Sequence, residues 1–317
     1  MAVAVVIPTC NRSKSLEAML ESIFAGTVVP DELIVVDQST NTETRELVAS
    51  LQARAQYLQY VQDPASGSSH AKNIGWKLAK SDLIAFTDDD ATVDRFWLAG
   101  LIDASRLFST VGVVGGRIII PNLYEYSRIV FPPDKQYLLP SLDLGESAVV
   151  FPQASYPVGV NMLTKRALLE RLGGFNEDLG PNYGRRFTVS GEETDFCQRI
   201  QALGLCLVYT GRAIVAHPLL QERNTVAFFR RRLAFELYTK AVFNWSLESR
   251  LEYVIAFLKQ VKWLLSVLVQ KIPRSDLEKF LLRTELKSRI VAVFLAPRSL
   301  RRSRRLLPKE PELETNY

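Results

Sequence analysis

Apolar and polar positions fall into two kinds of block over the first ninety residues. Ala2–Ile7, Glu32–Val36, the stretch around Tyr57–Val61 and the run inside Asp82–Asp90 are short and mostly apolar, the pattern of strands covered on both faces. Between them, apolar residues recur at helical spacing: Leu16, Met19, Leu20 and Ile23, then Leu47 and Leu51, then Ala71, Ile74, Gly75 and Leu78. Asn11 or Ser13 is placed to cap the first helix, and Thr40 with Glu43 reads as a capping box opening the second. Strand–helix alternation of this length requires parallel strands joined by right-handed crossovers. The expected fold class is therefore α/β, a mostly parallel sheet flanked by helices.

Beyond Val111 the pattern loosens. Val111–Ile120 reads as further strand. Tyr124–Pro157 has no clear period and is rich in Pro, Tyr and Leu, the mark of a functional loop or lid. Order returns at Gly159–Arg166, followed by a short helix closed by Gly173-Gly174. Another helix opens at Gly191–Asp195, with Phe196, Ile200 and Leu203 facing inward and Gly204 as its stop. Leu205–Ala216 reads as strands ending at His217-Pro218. From Asn224 the spacing is helical again, through Val226, Phe229, Leu233, Leu237 and Ala241. Leu251–Gln270 is strongly apolar, but Lys259 and Lys262 in its middle argue against a membrane span and for an interfacial or buried helix.

Charge divides the chain where the pattern changes. Residues 1–217 hold 19 Lys and Arg against 24 Asp and Glu, whereas residues 218–317 hold 20 against 10. Two domains are expected, 1–217 catalytic and 218–317 basic and helical. Arg298, Arg301, Arg302, Arg304 and Arg305 crowd together and suit an anionic membrane surface; no nucleic-acid motif accompanies them. With 47% hydrophobic and 23% charged residues the chain is globular rather than disordered. Cys10, Cys197 and Cys206 form no C-x-x-C, which excludes a structural zinc site of the usual kind and suggests a reducing compartment. The first strand begins at once, without a basic leader. The expectation is a cytoplasmic protein, peripheral on the inner face of the membrane.

The chemistry concentrates where the fourth strand ends, at Asp88-Asp89-Asp90. Ligands bind at the carboxyl ends of strands in open α/β sheets, and adjacent acids repel one another unless a cation or donors neutralise them. Asp88 and Asp90 share a face at strand periodicity, and oxygen ligands at this spacing suit Mg²⁺ or Mn²⁺ held with a substrate's phosphates. The competing reading is a solvated acidic turn. No G-x-G-x-x-G follows the first strand and no G-x-x-x-x-G-K-[ST] occurs, which excludes dinucleotide and P-loop cradles.

Five pieces in register, VVIPTCNR, ELIVVDQST, HAKNIGWKLAKSDLIAFTDDD, GVNMLTKRALLERLGGFNEDL and GEETDFCQRIQALG, resemble family 2 glycosyltransferases of the GT-A fold, over roughly residues 2–217. The resemblance implies an inverting transferase using a UDP- or dTDP-linked sugar; the basic C-terminal region with its Leu251–Gln270 stripe points to a glycan or lipid-linked acceptor at a membrane. It implies that Pro8, Thr9, Asn11 and Asp37 line the nucleotide pocket, Asp37 accepting from the base, and that Lys72, standing for the commoner Arg, meets a phosphate. Asp88 and Asp89 then belong to the donor site. Asp90, Asp88 and His217 become metal ligands, for Mg²⁺ or Mn²⁺. Glu193 takes the place of the general base within Glu192-Glu193-x-Asp195. Asp195 is its reserve, or the partner of Arg199 one turn on, and Glu192 completes the acidic element. A non-catalytic nucleotide-sugar sensor on the same fold is the alternative, and oligomeric state is left open. Glycoside hydrolysis also uses two acids but needs neither a nucleotide pocket nor a D-x-D pair.

Overall fold

A computed structural model describes residues 1–65, 67–121, 141–182 and 190–219, together with Thr225, Thr239 and Leu258. The chain divides into two compact units, Met1–Phe229 and Arg230–Tyr317. The greater part of the expected lid, the helices after Asn224, the Leu251–Gln270 segment and the arginine cluster lie outside the described residues. Among the described residues no helix is long and apolar enough to cross a membrane.

The four apolar runs are strands β1 (Val3–Thr9), β2 (Glu32–Asp37), β3 (Leu58–Gln62) and β4 (Leu83–Phe86). They pair in parallel in the order β3-β2-β1-β4, connected by helices α1 (Ser13–Phe24), α2 (Glu43–Gln52) and α3 (Ser68–Leu78). After the short β5 (Thr92–Val93) and α4 (Trp97–Ser105) come β6 (Val111–Ile119), β7 (Val149–Val150), β8 (Met162–Lys165), α5 (Arg166–Leu172), α6 (Glu192–Gln201) and β9 (Cys206–Ala216). The sheet continues β4-β8-β6-β9-β5. Here β8 runs antiparallel to both β4 and β6, while β9 is parallel to β6. Val111–Ile119 and Cys206–Ala216 are each one strand.

Period two along each strand sends alternate side chains to opposite faces, and two cores result. Val3, Val5, Ile7, Leu33 and Val35 pack with Leu16, Leu20, Val48 and Leu101 on one side. Ala4, Val6, Ile34 and Val36 pack with Ala71, Trp76, Leu169, Phe196 and Ile200 on the other. Each fully buried Val, Leu, Ile or Phe contributes about 1.5–3 kcal/mol of transfer free energy. The approach of α3 to β1 needs a glycine, because a Cβ at Gly75 would collide with Val6.

Local readings needed correction. Neither Asn11 nor Ser13 caps α1, where Arg12 takes the cap position without a side-chain bond. Asn11 has φ 54 and its Oδ1 accepts from the Thr40 amide at 3.1 Å, while the Ser13 hydroxyl donates to Glu43 at 2.8 Å. The Thr40–Glu43 capping box does not form, since Thr40 is drawn to Asn11 and α2 starts at Glu43 behind Thr42. The buried face of α3 is Ser69, Ala71, Lys72, Asn73, Gly75 and Trp76; Leu78 is exposed and Ile74 only half-buried. Polar residues won that face because each finds a buried partner, a signal that apolar periodicity does not carry. Leu203 of the inward face beyond α6 is likewise half-buried.

One irregularity aims the last strand. Gly116 pairs with Thr210, but the next residue, Arg117, pairs with Ile214, so β9 carries three extra residues. Asn161, fully buried in the 3₁₀ turn Gly159–Asn161, donates to the carbonyls of Ala213 at 2.8 Å and Arg117 at 2.9 Å and accepts from Trp97 Nε1 at 2.9 Å. Those bonds satisfy the bulged backbone. Beyond it the His217 amide donates to Ile119 O at 2.9 Å, which brings its ring to the carboxyl end of β4.

Candidate active site

β4 ends at Phe86, so Asp88–Asp90 form a turn rather than strand. The alternation nevertheless persists. Asp88, Asp90 and His217 can each offer a ligand atom within 4.8 Å of the others, with His217 Nε2 at 3.4 Å from Asp90 Oδ1. Asp89 turns the opposite way, into the protein, where it accepts from the Thr9 hydroxyl at 2.7 Å. Burial pushes the Asp89 carboxyl up to about 7, against the opposing pull of Arg12. Asp88 also titrates above its ordinary value, through burial first, with Lys72 opposing and Asp90 adding. Two hard carboxylates and an imidazole converging on one point fit a divalent cation such as Mn²⁺ or Mg²⁺, and a cation there relieves the mutual repulsion.

Arg12, a residue without an expected role, joins this cluster. Its guanidinium lies 2.5 Å from Asp90 Oδ2 and 3.1 Å from Asp89 Oδ1, tying α1 to the acidic turn. An arginine directly after the first strand's P-T-C-N was the signal available. Pro8 is half-buried on β1 beside Val36, and Asn11 is exposed at the loop's rim. Asp37 was expected to accept from the donor's base. Its side chain has no exposed surface, and its oxygens accept from the Ser39 amide at 2.9 Å and Tyr60 OH at 2.8 Å. Burial, then this bond, drive the Tyr60 phenol up to about 12. In this geometry Asp37 shapes the loop after β2 from beneath it.

The acids of α6 separate into distinct environments. The chain enters the helix through Gly191 at φ 100 and places Glu192, Glu193 and Asp195 in the first turn, where the helix dipole favours negative charge. Glu193 receives Lys72 Nζ at 2.5 Å, and Glu192 lies 3.5 Å from the same nitrogen. Burial disfavours charge on Glu193, yet Lys72 outweighs it and lowers the pKa. Glu192 goes up to about 7 through burial and the charge of Glu193, with Lys72 opposing. Burial likewise works against the Lys72 ammonium, but Glu193, Glu192 and Asp88 together raise its pKa. One lysine thus lies within electrostatic reach of both the α6 carboxylates and the metal cluster. Lys72, expected to meet a phosphate, is paired here with these two carboxylates.

Asp195 is bound to Arg199 through Nε at 2.9 Å and a second nitrogen at 2.8 Å, and Arg199 also donates to the carbonyls of Leu172 and Gly174. The Asp195–Arg199 alternative is the arrangement found, and it fastens α6 to the end of α5. Asp195→Ala leaves the half-buried Arg199 guanidinium without its anion. It is expected to cost about 3–5 kcal/mol in urea denaturation while donor binding by the folded protein persists.

Glu192 and Asp89 have folded pKa values raised to about 7 from 4.5 and 3.8. The folded state then binds more protons than the unfolded one between those values. The stability they contribute is complete below about pH 4 and is lost as pH rises through about 7. Urea midpoints of the metal-free protein should fall across this window, and Glu192→Gln should flatten the fall.

Residues 4–173 match the model of Glycosyl transferase family 2. A glucosyl-dolichyl phosphate glucuronosyltransferase of Haloferax volcanii is 26% identical over 247 residues, covering 77% of this chain and 78% of that one. The succinoglycan biosynthesis protein ExoM of Rhizobium meliloti is 28% identical over 206 residues, covering 63% and 60%. The mannosyltransferase PcManGT of Pyrobaculum calidifontis, solved with GDP-Man and Mn²⁺, superposes with a TM-score of 0.55 at 19% identity, covering 95% of this chain and 72% of that one. That likeness establishes the shared GT-A fold.

Proposed function

The chain belongs to glycosyl transferase family 2, and from that premise we propose an inverting, metal-dependent transfer of a sugar from a UDP- or dTDP-sugar to a hydroxyl of a glycan or lipid-linked acceptor. The observation that carries this reading is the joint placement of two sites. A ligand set of Asp88, Asp90 and His217 and an ionised Glu193 are linked by the buried Lys72.

Asp88, Asp90 and His217 would hold a divalent cation, which supplies Lewis-acid stabilisation of charge developing on a departing diphosphate. Arg12, at the edge of the same cluster and half-buried, adds positive charge there. Asn11 and Pro8 form the rim across which the nucleotide enters. Glu193 accepts the acceptor's proton as its oxygen attacks the anomeric carbon from the side opposite the diphosphate, and one such displacement inverts the anomer. A binding module needs no general base beside its metal cluster, which disfavours the sensor reading.

The acceptor class is supported by the name of the Haloferax relative, a glucosyl-dolichyl phosphate glucuronosyltransferase, and by the excess of Lys and Arg in residues 218–317. In this reading the basic region holds the enzyme against an anionic membrane on its cytoplasmic side. The donor test is a thermal-shift and turnover screen of UDP-, dTDP- and GDP-sugars with and without Mn²⁺. Stabilisation and diphosphate release confined to uridine or thymidine donors with Mn²⁺ is the expected result, and no response to any of them removes the proposal.

A further inference from the structure

The geometry points to Lys72 as the positioning residue of Glu193, fixing that carboxylate's orientation and charge while it takes the acceptor's proton, and not as a ligand of the donor's phosphates. This rests on the reading above in which Glu193 is the base.

Three observations fix the pair. Lys72 is 2% exposed and its ammonium lies against Glu193 at 2.5 Å and Glu192 at 3.5 Å, with the Phe175 ring centroid 5.5 Å away. An ammonium so enclosed directs its hydrogen bonds to two carboxylates, and an apolar wall strengthens the attraction by excluding water. The neighbouring Asn73 clamps this turn of α3. Its Nδ2 donates to Phe175 O and Glu177 at 2.8 Å, and its Oδ1 accepts from the Phe175 amide at 2.9 Å. Gly159 closes the remaining side. A Cβ there would collide with both Glu193 Oε1 and Lys72 Nζ, so the pair in this arrangement occupies the space a side chain at 159 would need.

In the transfer, the acceptor O–H bond breaks and its proton passes to the Glu193 carboxylate. The oxygen–carbon bond forms at the anomeric centre, and the bond to the donor's diphosphate breaks with its electron pair leaving on that diphosphate. Lys72 gives up no proton. The charged and titratable groups facing Glu193 are Lys72 from α3, Asp88 from the turn after β4, and Glu192 and Cys197 on α6 itself. Among them Lys72 is the cation.

Lys72→Met, Lys72→Arg, Glu193→Gln and the double variant Lys72→Met/Glu193→Gln are compared by calorimetric titration with UDP and Mn²⁺, and by kinetics on the donor found in the screen. Lys72→Met is expected to leave the UDP dissociation constant within about twofold. It should lower kcat by on the order of 10²-fold and move the acid limb of kcat upward by about one pH unit. Lys72→Arg should restore part of the rate, and Lys72→Met should cost nothing further in the Glu193→Gln background. If Lys72→Met alone does not fold, the double variant removes both charges, and its comparison with Glu193→Gln carries the same test. A UDP affinity weakened tenfold or more with kcat intact would make Lys72 a phosphate ligand and overturn the proposal, as would full additivity with Glu193→Gln. A wild-type enzyme that turns over no donor defeats the transferase reading instead, and the UDP titration still decides between phosphate and carboxylate for Lys72.

Discussion

Glu193→Gln is expected to lower kcat by about 10²- to 10⁴-fold, the range that a positioned general base contributes, while nucleotide affinity stays that of the wild type. Glutamine keeps the shape that fits against Gly159 and still accepts from Lys72, so the loss reports on basicity alone. The variant should also alter its neighbour. The charge of Glu193 is one reason Glu192 titrates near 7, so Glu192 should ionise at lower pH and become the partner of Lys72. Steady-state kinetics with a nucleotide titration checks the first part, and the pH dependence of the urea midpoint checks the second. A kcat close to wild type would remove Glu193 as the base.

The second large effect belongs to Asp90. Asp90→Asn takes away one charged ligand of the Asp88, Asp90, His217 set and the partner that Arg12 holds at 2.5 Å. Groups that merely support metal ligands are worth about 10- to 100-fold in affinity or activity, so loss of a ligand should exceed about 100-fold in Mn²⁺ affinity and abolish metal-stimulated turnover. Titration of free Mn²⁺ by electron paramagnetic resonance measures this. Asp89→Asn is the internal contrast. Asp89 points toward Thr9 and Arg12 rather than the cluster, so that variant should retain the Mn²⁺ site.

The first four strands, their parallel sense and the helices between them were legible because burial on both faces forces unbroken apolar runs and burial on one face forces the helical repeat; the two-residue strands β5 and β7, the helix α4 and the antiparallel β8 were not. Legibility failed where polar groups satisfy one another inside the protein. Lys72 read as a surface or phosphate-binding lysine, since nothing local to H-A-K-N announces that Glu193, 121 positions later, supplies its counter-charge. The same holds for Arg12 and for Asn161, whose partners come from distant parts of the chain. The D-x-D pair and His217 were visible as residue types, but their convergence depends on the three-residue bulge in β9, which leaves no periodic trace. The resemblance gave Asp37 a base-binding role; its bonds to Ser39 and Tyr60, which fix that carboxylate beneath the loop after β2, left no sign in the sequence. Asp195 was ambiguous in sequence, and the Arg199 pairing gave it a structural position.

The central claim is that the metal cluster and Glu193 serve one reaction centre. Crystals grown with Mn²⁺ and UDP test it by anomalous diffraction at the manganese edge. The account predicts one strong peak coordinated by Asp88, Asp90 and His217 and touching the diphosphate, with the Glu193 carboxylate facing the space beyond the terminal phosphate where a sugar would stand. A peak held by other residues, or a diphosphate whose terminal phosphate faces away from Glu193, would contradict it.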